Sequence, residues 1–252
     1  MIISENELLE QAKLLEKELA QAKNILSNKD MLSWFCDDFA LRFCWSSNAI
    51  EGNTLSLDET VALIEYDEVR SGHTYSEYRE AKDLYRAIKE MLLPFGKTPV
   101  SEDWIKKSNS LITGTTGEYR SVPVKIGSLI ETVYIPPSAE KVPALMKDFL
   151  ENVNFEAETL LGIASKAAKL HLDFERIHPF LDGNGRTGRM ILNKQLINHG
   201  LLPITLGKTG SYRRSFRIYD RNGDTSLLVH EILSEEAAAL GRLRELYEKL
   251  DS

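Results

Sequence analysis

The sequence predicts an all-α fold that carries one small β-hairpin. Two observations predict it. Apolar residues recur at alternating spacings of three and four through most of the chain, the period of helices that bury one face. One stretch alone, residues 118–137, gathers β-branched residues between turn signals. A lone hairpin cannot form a sheet core, so it is either decoration or a movable flap on a helical body.

Residues 4–27 carry Leu8, Ala12, Leu15, Leu19, Ala22 and Leu26 in one stripe, which marks a long amphipathic helix. The stripe packs on the chain's own body or forms a seam with a second copy. Residues 30–50 continue as a helix whose aromatics, Trp34, Phe35, Phe39, Phe43 and Trp45, are expected to fill the core. Helices follow at 57–65, 75–93 and 101–113, and the run Leu92, Leu93, Pro94, Phe95, Gly96 is a stop. In the hairpin stretch, Val122, Val124, Ile126, Ile130, Val133 and Ile135 flank Gly127-Ser128, and Pro136-Pro137 ends the run. Its exposed edge, around Val124, Lys125, Ile126 and Gly127, suits strand addition by an extended peptide.

Residues 138–153 read as a helix. The next, 156–177, carries Leu160, Ala164, Ala167, His171, Phe174 and Ile177 on one face and is expected to be central and buried, ending at Pro179. Thr187 to His199 forms another helix, stopped by Gly200 and Pro203. A final stripe, Leu233, Ala237, Leu240, Leu243, Tyr247 and Leu250, marks residues 226–250 as a helix that can cover the first. The chain thus divides into an N-terminal helix (1–30), a core (31–225) and a C-terminal helix (226–252).

Composition narrows the function. The chain has 252 residues, a net charge of −7 and no block of consecutive Lys or Arg, which argues against a general nucleic-acid or membrane-surface binder. Cys36 and Cys44, eight apart on one helix, cannot bridge; two reduced thiols point to a cytoplasmic protein. The N-terminus lacks a basic region followed by an apolar stretch, so no signal peptide is expected. No apolar run approaches the roughly 18 residues that span a bilayer.

The chemistry gathers between His178 and Arg189. Gly183-Asn184-Gly185 sits where a helix begins, so free amides and the positive end of the helix dipole converge on one point, a nest for an anion. Arg186 and Arg189, three apart, can turn their forks to the same side and grip phosphate oxygens. Asp182 would repel such a ligand unless a cation lies between them, and Mg²⁺ held by one carboxylate plus phosphate oxygens meets that need. His178, at the mouth, suits proton abstraction from a hydroxyl.

This segment resembles the signature of the Fic family, His-x-Phe-x-(Asp/Glu)-Gly-Asn-Gly-Arg-x-x-Arg. His178, Phe180, Asp182, Gly183, Asn184, Gly185, Arg186 and Arg189 meet every specified position. The likeness extends more loosely over about residues 40–225. It implies a helical core with a β-hairpin flap and a transfer of AMP from ATP to a Ser, Thr or Tyr hydroxyl of a target protein. By the same likeness His178 would be the general base and Asp182 the Mg²⁺ ligand. Asn184 and the amides around Gly183 and Gly185 would bind phosphate oxygens, Arg186 the β-phosphate and Arg189 the γ-phosphate. Phe180 would pack under the loop. Tyr212 resembles a family position near the adenine, and Asn193 is placed to face the same cavity.

A second resemblance lies upstream. Ser47, Glu51 and Gly52 match the family's inhibitory signature, Ser/Thr-x-x-x-Glu-Gly/Asn, on a helix at about 40–52. It implies that Glu51 pairs with Arg189 and occupies the fork meant for the γ-phosphate. Alternatives stand beside the adenylyltransferase: removal of AMP, with Glu51 positioning a water, or transfer of another phosphate-containing group. From another class comes a nucleotide-sensing module that docks a partner through the flap, though binding alone needs no base at His178. Self-modification and homo-oligomers fit the pattern, and the target's identity is not encoded in any visible motif. Three other signals fail. Gly200 to Thr209 has the wrong glycine spacing for a P-loop, Asp220 to Asp224 lacks the Glu that closes a calcium loop, and His171 with His178 lacks further zinc ligands. His171 is expected in the core, and His73, His199 and His230 have no evident partners in sequence.

Overall fold

A computed structural model describes residues 3–93, 95–127, 132–207 and 210–250. Pro94, Ser128, Ile130, Lys208 and Thr209, which entered the sequence reading, lie outside the described residues, as do the side chains of Val133 and Leu250. The elements are helices α1 (Glu5–Leu26), α2 (Lys29–Glu51), α3 (Leu57–Tyr66), α4 (Tyr75–Met91) and α5 (Glu102–Thr113), then strands β1 (Ile126–Gly127) and β2 (Thr132–Tyr134). A 3₁₀ turn at Ala139–Lys141 leads into α6 (Val142–Asn152), followed by α7 (Leu160–Ile177), α8 (Asn184–Asn198), α9 (Gly210–Asn222) and α10 (Ser226–Leu250).

Local chemistry sets the helix starts. The hydroxyls of Ser4, Ser56 and Thr74 each accept the amide of a Glu three residues on, and that Glu accepts the cap residue's own amide. Two orphan donors are satisfied at each end, so α1, α3 and α4 begin sharply. Gly52 takes a left-handed conformation at φ 106° and stops α2 directly after Glu51.

The α1 stripe, Leu8 to Ala22, is buried against α10 and α7, so the chain's own body covers it. Burying each leucine there contributes roughly 1.5–3 kcal/mol. Helix α7 is central, touching α1, α6, α8 and α10. Its face from Leu160 to Ile177 is buried as the stripe implies.

Several expectations need correcting. Helix α7 starts at Leu160, not 156, because the Thr159 hydroxyl caps it by accepting the Gly162 amide. Helix α8 starts at Asn184, three residues before Thr187, so the glycine-rich turn is part of its first turn. Phe35, Phe39 and Phe43 enter the core, but Trp34 and Trp45 lie on the exposed side of α2. On α10 the inward slot falls to Glu236 rather than Ala237, since its carboxylate accepts the Leu202 amide at 2.7 Å. The hairpin is shorter than 118–137; Ile126 pairs with Tyr134 and Gly127 with Thr132. Helix α9 lies where the sequence predicts no element, although Tyr212, Phe216 and Tyr219 carry its helical spacing. Cys36 and Cys44 are free and buried, and burial pushes their thiols up to about 11 and about 12. No helix among the described residues is long and apolar enough to cross a membrane.

Candidate active site

Helices α7 and α8 meet at the segment His178 to Gly183. His178 caps α7 in a left-handed conformation, φ 51°, and its amide donates to Phe174 O at 2.9 Å. A side chain rarely adopts that conformation, so something must hold the corner. The imidazole is mostly withdrawn from water. Burial pushes it down to about 4, with Arg120 and Arg176 acting the same way against the Glu175 carbonyl and Glu51. His178 is therefore neutral at pH 7. Its Nδ1 faces Glu175 O at 3.4 Å, and a carbonyl can only accept, so Nδ1 carries the proton and Nε2 is left as the basic atom.

Phe180 is buried beneath the turn between Tyr119 and Phe174. Asn184 braces the turn from inside. Its Oδ1 accepts Phe180 N and its Nδ2 donates to Phe180 O, both at 2.9 Å. Gly183 has φ 75°, and a Cβ there would stand 2.6 Å from Thr113, so only glycine fits. The first helical bond of α8 runs from Thr187 N to Gly183 O. The amides of Asn184, Gly185 and Arg186 thus have no partner within the helix and form its anion-attracting end.

The charged side chains divide by exposure. The Asp182 side chain is 73% exposed, accepts the Gly183 amide at 2.6 Å and lies 3.4 Å from Arg186 Nη2. Arg189 is only 1% exposed. Its Nε donates to Ser47 Oγ at 2.8 Å, and its Nη2 to Ser47 O at 2.9 Å and to Glu51 Oε1 at 2.7 Å. Ser47, Glu51 and Arg189 are thus brought together across 138 residues of chain. Burial alone would raise the Glu51 carboxyl, but the Arg189 charge and hydrogen bond outweigh it and hold the carboxyl below its usual range. Gly185 makes room for this pair: a Cβ there would lie 2.2 Å from Glu51 Oε1.

Tyr212 is buried, with its hydroxyl 2.9 Å from His171 Nε2. Asn193 does not offer its amide to a cavity; it is bonded to Arg189 O and to both polar backbone atoms of Ile204. On the flap, Lys125 and Gly127 are exposed, and Val124 and Ile126 half-buried. His73, His199 and His230 have partners after all, in Thr54 and Glu59, Gln195 and Phe155, and Gln11.

Two residues escaped the sequence reading. Asn109 donates to Asp182 O at 2.9 Å and to Thr187 Oγ1 at 3.2 Å, binding α5 to the turn. Arg120 lies under the His178 corner. Neither belongs to a motif, and only the polar position of Asn109 between apolar helix residues hinted at a buried role.

The Fic/DOC family model matches residues 99–196. The chain is 31% identical over 172 residues to the protein adenylyltransferase fic-1 of Caenorhabditis elegans, a match covering 65% of this chain and 33% of that protein. The chain spans about a third of the length of the curated relatives it matches. Its structure resembles a Fic-domain-containing signalling protein from Bacteroides thetaiotaomicron, with a TM-score of 0.79, 25% identity and coverage of 95% of this chain and 97% of the other. A Fic family protein from Desulfovibrio desulfuricans is similar at a TM-score of 0.73 and 25% identity, covering 100% and 77%.

Proposed function

The chain carries a Fic/DOC-family domain at residues 99–196, and from that premise we propose that the protein transfers AMP from ATP to a hydroxyl of a target protein. What supports this reading is the juxtaposition of a neutral, mostly withdrawn imidazole with the open amide end of α8 and the Arg186 fork. The acceptor hydroxyl gives its proton to His178 Nε2. Its oxygen bonds to the α-phosphorus, and the bond to the β-phosphate oxygen breaks, with pyrophosphate as the leaving group. The amides at Gly185 and Arg186 stabilise the phosphate oxygens, and the Arg186 guanidinium holds the departing phosphates in line. Positioning and charge stabilisation do most of the work in such transfers.

Asp182 fits a single carboxylate contact to Mg²⁺. It is the exposed acid at the turn, and no group of three or more metal-ligating side chains occurs among the described residues. When bound, Mg²⁺ would neutralise charge that develops on the pyrophosphate. Glu51 is the brake in this reading. While it holds Arg189, that guanidinium cannot take the γ-phosphate, and the nucleotide lacks the pose for in-line attack. Two buried, reduced cysteines fit a cytoplasmic location, which completes the reading.

Labelled ATP tests the reaction class. In the Glu51→Gly chain with Mg²⁺, label from the α-phosphate should appear on protein and label from the γ-phosphate should not. His178→Ala in the same background should abolish it. Transfer of γ-label, or α-label that persists without His178, would overturn the reading.

A further inference from the structure

Arg120 is 3% exposed, yet among the described residues it makes no ion pair. All its bonds go to backbone carbonyls. Its Nε donates to His178 O at 2.8 Å, and its own amide to Pro179 O at 2.8 Å. Nη2 donates to Ile177 O at 3.4 Å and Pro137 O at 2.6 Å, and Nη1 to Val122 O at 3.2 Å. Burying a guanidinium with no counter-charge is costly, and burial indeed pushes its pKa down. The fork, however, reaches two consecutive carbonyls of one corner and two more behind it, which no neutral side chain can do, and the backbone amide adds the third carbonyl of the corner.

Those five carbonyls define the role. Ile177, His178 and Pro179 are the corner where α7 ends and His178 turns left-handed. The last carbonyls of α7 lack helical partners, and a cation there also suits the negative end of the helix. Val122 precedes β1 and Pro137 follows β2, so they are the two stems of the hairpin. We propose that Arg120 is a positioning residue for the transfer reaction: it fixes the corner that aims His178 into the site and ties that corner to both hairpin stems. Base and flap then hold one geometry, so a target segment lying on the flap edge meets an imidazole already in register. This rests on His178 acting as the base.

The charges facing His178 make the role measurable. Arg120 and Arg176 oppose its protonation, whereas Glu51 and the Glu175 carbonyl favour it. Arg120→Gln removes fork and charge; Arg120→Lys keeps a charge but not the fork. In the nucleotide-free full chain, NMR titration of the His178 ring should move upward by about one pH unit in Arg120→Gln and much less in Arg120→Lys. In the Glu51→Gly background, both variants should lose about 100-fold in kcat for AMP transfer, as misplacement of a base by about an ångström does. KM for ATP should stay within about threefold, because the Arg120 side chain is committed to backbone carbonyls of the corner and the hairpin stems.

A cooperatively melting Arg120→Gln chain with an unmoved His178 titration and unchanged kcat overturns the proposal. So does loss of cooperative melting in both variants, which would make Arg120 a residue of the fold alone. If the Glu51→Gly chain with Arg120 intact transfers no AMP, the proposed reaction fails by itself. The His178 titration still decides on Arg120 in that case.

Discussion

At the scale of single residues, the contrast between Arg189 and Glu51 matters most. Arg189 is anchored from α2 by two Ser47 contacts and is out of water, whereas the Glu51 side chain is 41% exposed. Glu51 is also the last residue of α2, where helix carbonyls disfavour a negative charge. Its place therefore depends on Arg189, and Glu51 is the partner free to leave. Another buried acid shows how far burial can shift a charge. Glu236 accepts the Leu202 amide with one oxygen, the other has no partner among the described residues, and burial pushes its carboxyl up to about 8. The folded chain thus holds a proton between pH about 4.5 and about 8 that the unfolded chain releases. The stability this contributes is full at low pH and lost as pH rises through about 8. Glu236→Gln does not titrate. Its melting temperature should gain on that of the parent between pH 5 and pH 8 by about 3 °C or more. Buried Glu175 has the same sign but is common to both chains and drops out of the difference. A constant gap across that range would show that Glu236 is ionised when folded. Residue by residue, the site was legible where a motif fixes spacing, as from His178 to Arg189 and at Ser47 and Glu51. Arg120, Asn109 and Glu236 were not, because their partners lie far away in sequence and nothing in their own neighbourhood marks them.

At the scale of elements, the site is the joint between α7 and α8, and the precision of that joint starts with where α7 begins. Thr159 caps it, and the Leu160 amide donates to Glu16 of α1 at 2.7 Å. Thr159→Ala should cost about 1 kcal/mol in a denaturant titration, with kcat changed far less than by any change at the His178 corner. A cost near zero would mean that Glu16 alone sets the start. Helices with a one-sided stripe were readable from spacing, which explains the agreement at α1 and α7; α10 is the expected helix, but Ala237 and Tyr247 of its stripe are exposed. Starts were less so. Glu156 to Glu158 continue the helical look of α7 until the Thr159 cap overrides it, and the glycines of α8 disguise a first turn as a loop. Helix α9 is hidden in the sequence because only Tyr212, Phe216, Ile218 and Tyr219 interrupt a polar run. On α2, five aromatics in sequence look equally apolar, but a helix packed on one side buries only those that face inward.

At the scale of the whole molecule, three distant stretches converge on one joint. Helix α2 delivers Glu51, the segment before the hairpin delivers Arg120, and the helices α7 and α8 deliver the base and the anion-binding end. In the proposed reading, the same packing makes both the reactive geometry and its restraint. If competent and blocked poses differ by only about 1.4 kcal/mol, removing the restraint changes the rate tenfold. The most direct measurement is the rate of α-phosphate label transfer from ATP to protein by the parent and Glu51→Gly chains, side by side at pH 7 with Mg²⁺. At least a tenfold higher rate in Glu51→Gly, at equal folded fraction, is the predicted result. Equal rates, or a slower Glu51→Gly chain, would contradict the brake and make Glu51 a participant in the reaction.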